Sequence, residues 1–318
     1  MKQPFHLVFC GTPSFAVPTL ERLARAGFDI QLVVTRPDKP KGRGMELALS
    51  PIKQSAAALR LPIAQPETIK NNADFRAKLE LLRPDAMIVV GYGRIIPQWM
   101  IALPPVGNIN LHSSLLPKYR GAAPVHWAVA CGETTTGVTT MRIDAGLDTG
   151  DILLQREVAI AEEDTAETLS PKLAAIGADL MVDTLVGLQE ERIVPQPQDH
   201  SRATLAPILR KEDGQIDFGR PATEILNRLR GFQPWPGAYT TFRGRQLVVY
   251  RAQVAKYMAR PSALPAGSLL VSANSLAVAC GDTVLELQEL QPEGKKRMAA
   301  RDFLNGYRPQ PGERFGSS

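Results

Sequence analysis

The stretch HLVFCGTPSFAVPTLERLARAG (His6–Gly27) decides the class of fold. Its first six residues form an apolar run closed by Gly11, the pattern of a strand buried on both faces. The residues that follow adopt helical spacing and stop at Gly27. A buried strand feeding a helix is half of a βα unit, and the pattern repeats. IQLVVTRP (Ile30–Pro37) reads as the next strand, DFRAKLELLRP (Asp74–Pro84) as a short helix and DAMIVVGYG (Asp85–Gly93) as a continuous strand. Near-continuous apolar strands joined by helices predict a doubly wound, Rossmann-like, mostly parallel sheet. DTAETLSPKLAAIGADLMVDTLVGLQE (Asp164–Glu190) predicts a long helix with Asp164 as its N-cap.

From residue 190 to 207 the periodicity is lost in a polar, Pro-rich stretch, read as a linker. Beyond it the texture changes to short strands separated by Gly-bearing turns: GAYTTF, RQLVVYRAQV, GSLLVSANSLAVACG and TVLELQEL. These predict a smaller, OB-like β-barrel domain over 208–318, following a first domain over 1–189. KKRMAARDFLNG predicts a late helix, and Trp235 in GFQPWPGAY is expected in the core.

Composition narrows the function. The chain has 318 residues, enough for about two domains. No apolar run approaches the ~20 residues of a membrane span, so no membrane association is expected. Three distant cysteines and four histidines without ligand spacing point to reduced, cytoplasmic thiols and no metal site. Charge is unevenly spread: residues 201–318 carry 17 basic and 10 acidic side chains, a net +7, whereas residues 1–200 carry a net −2. A basic C-terminal third suits a polyanionic partner, or a solvated surface.

Ligands of open α/β sheets bind beyond the carboxyl ends of the strands. NINLHSSLLPKYRGAAP (Asn108–Pro124) runs from strand to turn there, with Asn110 and His112 two apart and therefore on one strand face. GLDTGD brackets Asp148 between two glycines on a tight loop. Imidazole titrates near neutrality and a carboxylate can stabilise its charged form. An amide can donate to an oxyanion, a contribution of about 3–4 kcal/mol elsewhere. No Ser or Cys occupies a nucleophile elbow, so the set favours direct acyl transfer to an external nucleophile. From spacing alone, an Asn-x-His pair at a strand end is more often a turn-capping pair than a catalytic one.

In combination these motifs resemble the folate-dependent formyltransferases, whose signature is Asn-x-His, then Ser-Leu-Leu-Pro, then an Asp on a downstream loop. FCGTPSFAVPTLERL, TRPDKPKGRG, SPIK and GFQPWPGAY extend the resemblance from about Phe5 to the 310s. Ser113 stands where some relatives carry Gly or Pro. The resemblance implies 10-formyltetrahydrofolate as donor and, as acceptor, the α-amino group of methionine on charged initiator tRNA. It implies catalytic roles for Asn110, His112 and Asp148. It further implies folate binding by Ser114, Leu115, Leu116 and Pro117 and by Gly93, Arg94, Ile95 and Ile96.

The basic insert Thr35–Lys53 has five basic and two acidic residues and is too long and polar for an ordinary βα connection. By the same resemblance it grips tRNA through Arg36, Lys39, Lys41, Arg43 and Lys53. A monomer without metal is expected. Rival readings are a formyltransferase for a small amine, a folate-binding hydrolase and a catalytically silent tRNA-binding module.

Overall fold

A computed structural model describes residues 5–41, 46–259, 264–272, 274–310 and 312–316. In chain order the first half contains β1 (His6–Gly11), α1 (Val17–Arg25), β2 (Asp29–Val34), β3 (Lys39–Lys41), β4 (Glu46–Ala48), α2 (Pro51–Ala58), β5 (Ile63–Ala64), α3 (Ala73–Leu82), β6 (Ala86–Val90), α4 (Gln98–Ile101), β7 (Gly107–His112), α5 (Pro124–Ala130), β8 (Thr135–Arg142), β9 (Ile152–Ala159) and α6 (Ala166–Gln189). The second half contains α7 (Ala222–Gly231), β10 (Ala238–Phe242), β11 (Arg245–Ala259), β12 (Leu269–Val271), β13 (Leu276–Ala279), β14 (Thr283–Pro292), β15 (Met298–Ala299) and α8 (Ala300–Tyr307).

The chain divides into two compact units. The first comprises Met1–Pro124, Thr135–Ala159 and Ser170–Pro207. Its seven-stranded sheet has the order β5-β2-β1-β6-β7-β8-β9. Strands β5, β2, β1, β6 and β7 run parallel, in keeping with the apolar runs of β1 and β6; Leu7–Cys10 and Ala86–Met87 are fully buried. β8 and β9 run antiparallel to their neighbours. The short 143–151 connection explains the reversal between β8 and β9, since a parallel pair needs a longer crossover.

Residues 190–207, read from sequence as a linker, are integrated into this unit. Gln196 pairs with Ile152 and Leu205 with Arg120 in isolated bridges, and Gln198 is buried. Most of the segment is exposed, with Gln198 and Ala206 its buried residues.

The second unit comprises Val125–Thr134, Ile160–Leu169 and Ile208–Ser318. Its antiparallel sheet has the order β10-β11-β14-β13-β12, with β15 on β14 and bulges along the β11–β14 ladder. Phe242 packs on Phe303 and Phe315 within its core, and α7 and α8 contribute Leu229 and Leu304. The two short upstream pieces belong to this unit through specific contacts. Trp127 meets Phe232 edge-on at 5.4 Å, and Arg230 Nη1 donates to the carbonyls of Ala161, Glu162 and Asp164.

Two local readings are corrected. The residue before α6 is Thr165, whose hydroxyl accepts from Thr168 N, while Asp164 accepts from Ala161 N and Thr168 Oγ1. Asp164 therefore ties down the approach to the helix instead of capping it. Trp235 is not a core residue: it is 54 % exposed. Prolines on both sides of it, in a turn between α7 and β10, take the ring out of the sheet-and-helix packing that buries Phe232. Among the described residues no helix is long and apolar enough to cross a membrane.

All three cysteines are free thiols. Burial pushes the Cys10 thiol up to about 12, and Cys280 is also buried, whereas Cys131 is exposed. Because only the thiolate reacts, one fast-labelling thiol per folded chain is expected with a disulfide reagent near pH 8, rising to three in denaturant. Two or more fast thiols in the native protein would contradict the burial of Cys10 and Cys280.

Candidate active site

The end of β7 carries the central pair. β7 lies between parallel β6 and antiparallel β8, with Asn110 opposite Met141 and His112 opposite Thr139. Both side chains line one cavity of about 580 Å³, within the size range of small-ligand sites. Its walls come from the end of β6 and the following turn (Val89, Gly91–Ile96), from β7, from Gly121–Ala122 and from the 141–148 segment.

His112 is 5 % exposed. Its Nε2 lies 2.9 Å from the Tyr119 carbonyl oxygen. A carbonyl only accepts, so Nε2 carries the hydrogen and donates it. In the neutral ring Nδ1 then keeps its lone pair, and it stands 3.7 Å from Asp148 Oδ2. The Asn110 side chain has no hydrogen-bond partner among the described residues, leaving its amide free toward the cavity.

Asp148 sits on the loop between β8 and β9 at φ +52°, in the left-handed region that non-glycine residues disfavour. Its Oδ2 accepts from Gly121 N at 2.8 Å. The loop closes on itself through Asp144, which accepts from Gly146 N and Thr149 Oγ1. Gly150 admits no larger residue, because a Cβ there would collide with the Arg142 carbonyl. The tight loop expected from GLDTGD is thus a consequence of glycine packing.

Gly93, Arg94, Ile95 and Ile96 all line the cavity, and Ile95 is 92 % exposed at its mouth. Tyr92 lines it too; burial pushes its phenol up to about 12, against the pull of Arg94 and Arg36, so it stays neutral in any ordinary assay. Ser114, Leu115, Leu116 and Pro117 do not line the cavity. Their turn is pinned behind it: Ser114 Oγ donates to the Lys118 carbonyl, Thr139 Oγ1 donates to the Ser114 carbonyl, and Leu116 N donates to Thr139 Oγ1. Leu115 lies against Gly137, which has no side chain to obstruct it. The tetrad therefore supports the strand end, and Ser113 is the neighbour that reaches the cavity.

In the basic insert, Lys39 and Lys41 lie on β3, which pairs with β4. Arg43 lies outside the described residues. Arg36 approaches Gly93: a Cβ on that glycine would lie 3.5 Å from Arg36 Nη1. Lys53 is ion-paired with Asp38, which also accepts from Gln65. The Lys53 and Gln65 hydrogen bonds hold the Asp38 carboxyl below its ordinary value. Ser50 Oγ accepts from Lys53 N, capping α2. Lys53 thus anchors the base of the insert.

Three residues given no role from the sequence complete the surroundings: Tyr119 through its carbonyl, Arg120, and Gln198. Only Tyr119 and Arg120 fall inside the motif-bearing stretch; Gln198 lies among prolines with no periodic signal. Among the described residues no group of three or more His, Cys, Asp or Glu is placed to hold a metal.

The formyl transferase family matches residues 6–185 and the formyl transferase C-terminal domain matches residues 208–308. The methionyl-tRNA formyltransferase of Koribacter versatilis is 63 % identical over 311 residues, covering 98 % of each chain. That of Acidobacterium capsulatum is 59 % identical over 312 residues, covering 98 % of this chain and 99 % of its own. Among solved structures, an N-formyltransferase from Helicobacter canadensis in complex with folinic acid and dTDP-3-aminofucose superposes with a TM-score of 0.64 at 16 % identity. The match covers 90 % of this chain and 99 % of that one.

Proposed function

The chain belongs to the formyl transferase family, and from that premise we propose that it moves a formyl group from 10-formyltetrahydrofolate to the α-amino group of methionyl initiator tRNA. The observation that carries this reading is the identity of 63 % across 98 % of both chains with a relative of that activity. The cavity fits the donor chemically. Its backbone-rich wall at Gly91–Ile96 offers amide groups to a flat heterocycle, and Val89, Met141 and Ile143 give it apolar surface.

The reaction then follows from the side chains. The acceptor amine attacks the formyl carbon as its free base, forming an N–C bond and pushing charge onto the formyl oxygen. The free Asn110 amide donates to that oxyanion. His112 Nδ1, whose partner nitrogen is committed to Tyr119, takes the amine proton directly or through one water. The Asp148 carboxylate facing Nδ1 stabilises the imidazolium. The bond from carbon to folate N10 breaks, N10 takes the proton back from His112, and formylated aminoacyl-tRNA and tetrahydrofolate leave.

Residues 1–189 carry this chemistry in the proposal, while the insert and residues 208–318 bind the tRNA as polyanion, in the cytoplasm. Lys39, Lys41 and Arg43 are the phosphate contacts, with Lys53 securing the insert. Incubation with 10-formyltetrahydrofolate and charged initiator tRNA should yield formylated product by acid gel; product from a small amine but not from tRNA rejects the acceptor. Each phosphate contact should contribute a salt slope of about 0.7–0.9 log units of affinity per log unit of salt. Arg43→Ala and the Lys39→Ala/Lys41→Ala pair should weaken tRNA binding and flatten that slope, leaving folate affinity unchanged. A salt-independent dissociation constant would remove the electrostatic role.

A further inference from the structure

Behind the Asp148 loop lies a buried polar assembly that the transfer chemistry does not use. Gln198 is 6 % exposed and Arg120 is 7 % exposed. The Gln198 amide nitrogen donates to the carbonyls of Asp148 at 3.0 Å and Gly150 at 2.7 Å. Its oxygen accepts from Arg120 Nη2 at 2.6 Å and Nε at 3.1 Å. No carboxylate pairs with Arg120 among the described residues; its remaining side-chain contact is His200 Nδ1 at 3.2 Å. A buried guanidinium satisfied chiefly by an amide is a costly arrangement, retained where geometry has to be fixed.

Three consecutive residues set the geometry of the reacting pair. The Tyr119 carbonyl holds His112 Nε2, Arg120 holds Gln198, and Gly121 N holds the Asp148 carboxylate. This tripeptide is itself strapped to residues 204–206: Tyr119 N donates to Thr204 Oγ1, Arg120 N to the Thr204 carbonyl, and Ala206 N to the Arg120 carbonyl. Gly121, at φ +121°, admits no Cβ, which would lie 2.7 Å from the Ala206 carbonyl oxygen.

We propose that Gln198, polarised by Arg120, is a positioning residue that holds Asp148 in its left-handed conformation and fixes its carboxylate against His112 Nδ1. The left-handed backbone is disfavoured for a residue with a side chain and persists only where its surroundings over-determine it. The Gln198 amide and the Gly121 N–H, gripping the main chain and the carboxylate of the same residue, supply that over-determination. Losing one grip releases the carboxylate without touching a group that meets substrate.

This inference rests on the formyl-transfer reading, and two readouts separate them. Gln198→Leu and Gln198→Glu are compared with the native enzyme. Gln198→Glu retains an acceptor for Arg120 but cannot donate to Asp148 and Gly150. Both variants should lose roughly 10- to 100-fold in kcat, the scale of a small misplacement at a reacting centre, with both KM values within about threefold. In protein labelled with nitrogen-15 histidine, the ring resonances of His112 should move in both variants without substrate present. Native kcat in the variants, or unmoved His112 resonances, overturns the positioning role. An inactive native enzyme with moved resonances overturns the formyl-transfer reading and leaves the positioning role standing.

Discussion

His112→Ala lowers the single-turnover rate of formyl transfer by roughly 10²- to 10⁴-fold, the range attributed to a positioned acid–base group, while folate affinity is retained. The structure makes this the largest expected loss because no other ring is available. His112 is the histidine that lines the cavity; its Nδ1 stands beside Asp148, and the tautomer is set by the Nε2 donation to Tyr119. Of the other histidines, His6 pairs with Asp29 and His200 meets Arg120, and neither lines the cavity, nor does His126. Removing His112 also deletes the Nε2 donation to the Tyr119 carbonyl. His112→Gln is therefore the companion variant, able to donate to that carbonyl without offering a base. Both variants should be equally slow, and a rate within a few-fold of native in His112→Gln would reject proton transfer by the ring.

Asp148→Asn comes next, with an expected loss of about 10²-fold in kcat, the lower end of the same range. A unit charge at this separation is worth up to about 4 kcal/mol at an effective dielectric of 20, and the aspartate lies 3.7 Å from Nδ1. Part of that interaction survives as a dipole in the amide. In a catalytic triad the corresponding change also costs the correct tautomer; here the Tyr119 carbonyl fixes the tautomer independently. The loss should accordingly be smaller than for His112→Ala, and the introduced amide oxygen should still accept from Gly121 N. Measured kcat values for the two variants side by side test the ordering. Full activity in Asp148→Asn removes the charge from the mechanism, and a loss matching His112→Ala shows that the carboxylate also controls the ring's protonation.

The parts of this architecture written in local pattern were legible in the sequence. β1, β2 and β6 announce themselves as near-continuous apolar runs because both their faces are largely covered. Asn110 and His112 share a face because strands alternate, and Asp148 stands out because two glycines bracket it. What escaped depends on pairing between distant segments. Gln198 looks like one more polar residue among prolines, and its partners Arg120, Asp148 and Gly150 lie some 48 to 78 positions away. Trp235 has the composition of a core residue, but the prolines beside it determine where its ring goes. Ser114–Pro117 carry a family signature without carrying cavity surface, since their bonds are to Lys118 and Thr139. A motif marks a region as constrained; whether it faces the ligand or the scaffold is decided in three dimensions.

The division of the chain bears on how such a protein can be recombined. The second unit draws in Val125–Thr134 and Ile160–Leu169, so it is not a cassette that begins at residue 208. A chimera exchanging only the C-terminal third would pair a foreign Phe232 with the resident Trp127 and a foreign Arg230 with the resident 161–164 carbonyls. Crossovers between relatives should therefore be chosen by three-dimensional membership, carrying both internal pieces with the tail. Drift in those pieces and in the tail is then coupled, although more than thirty residues separate them along the chain.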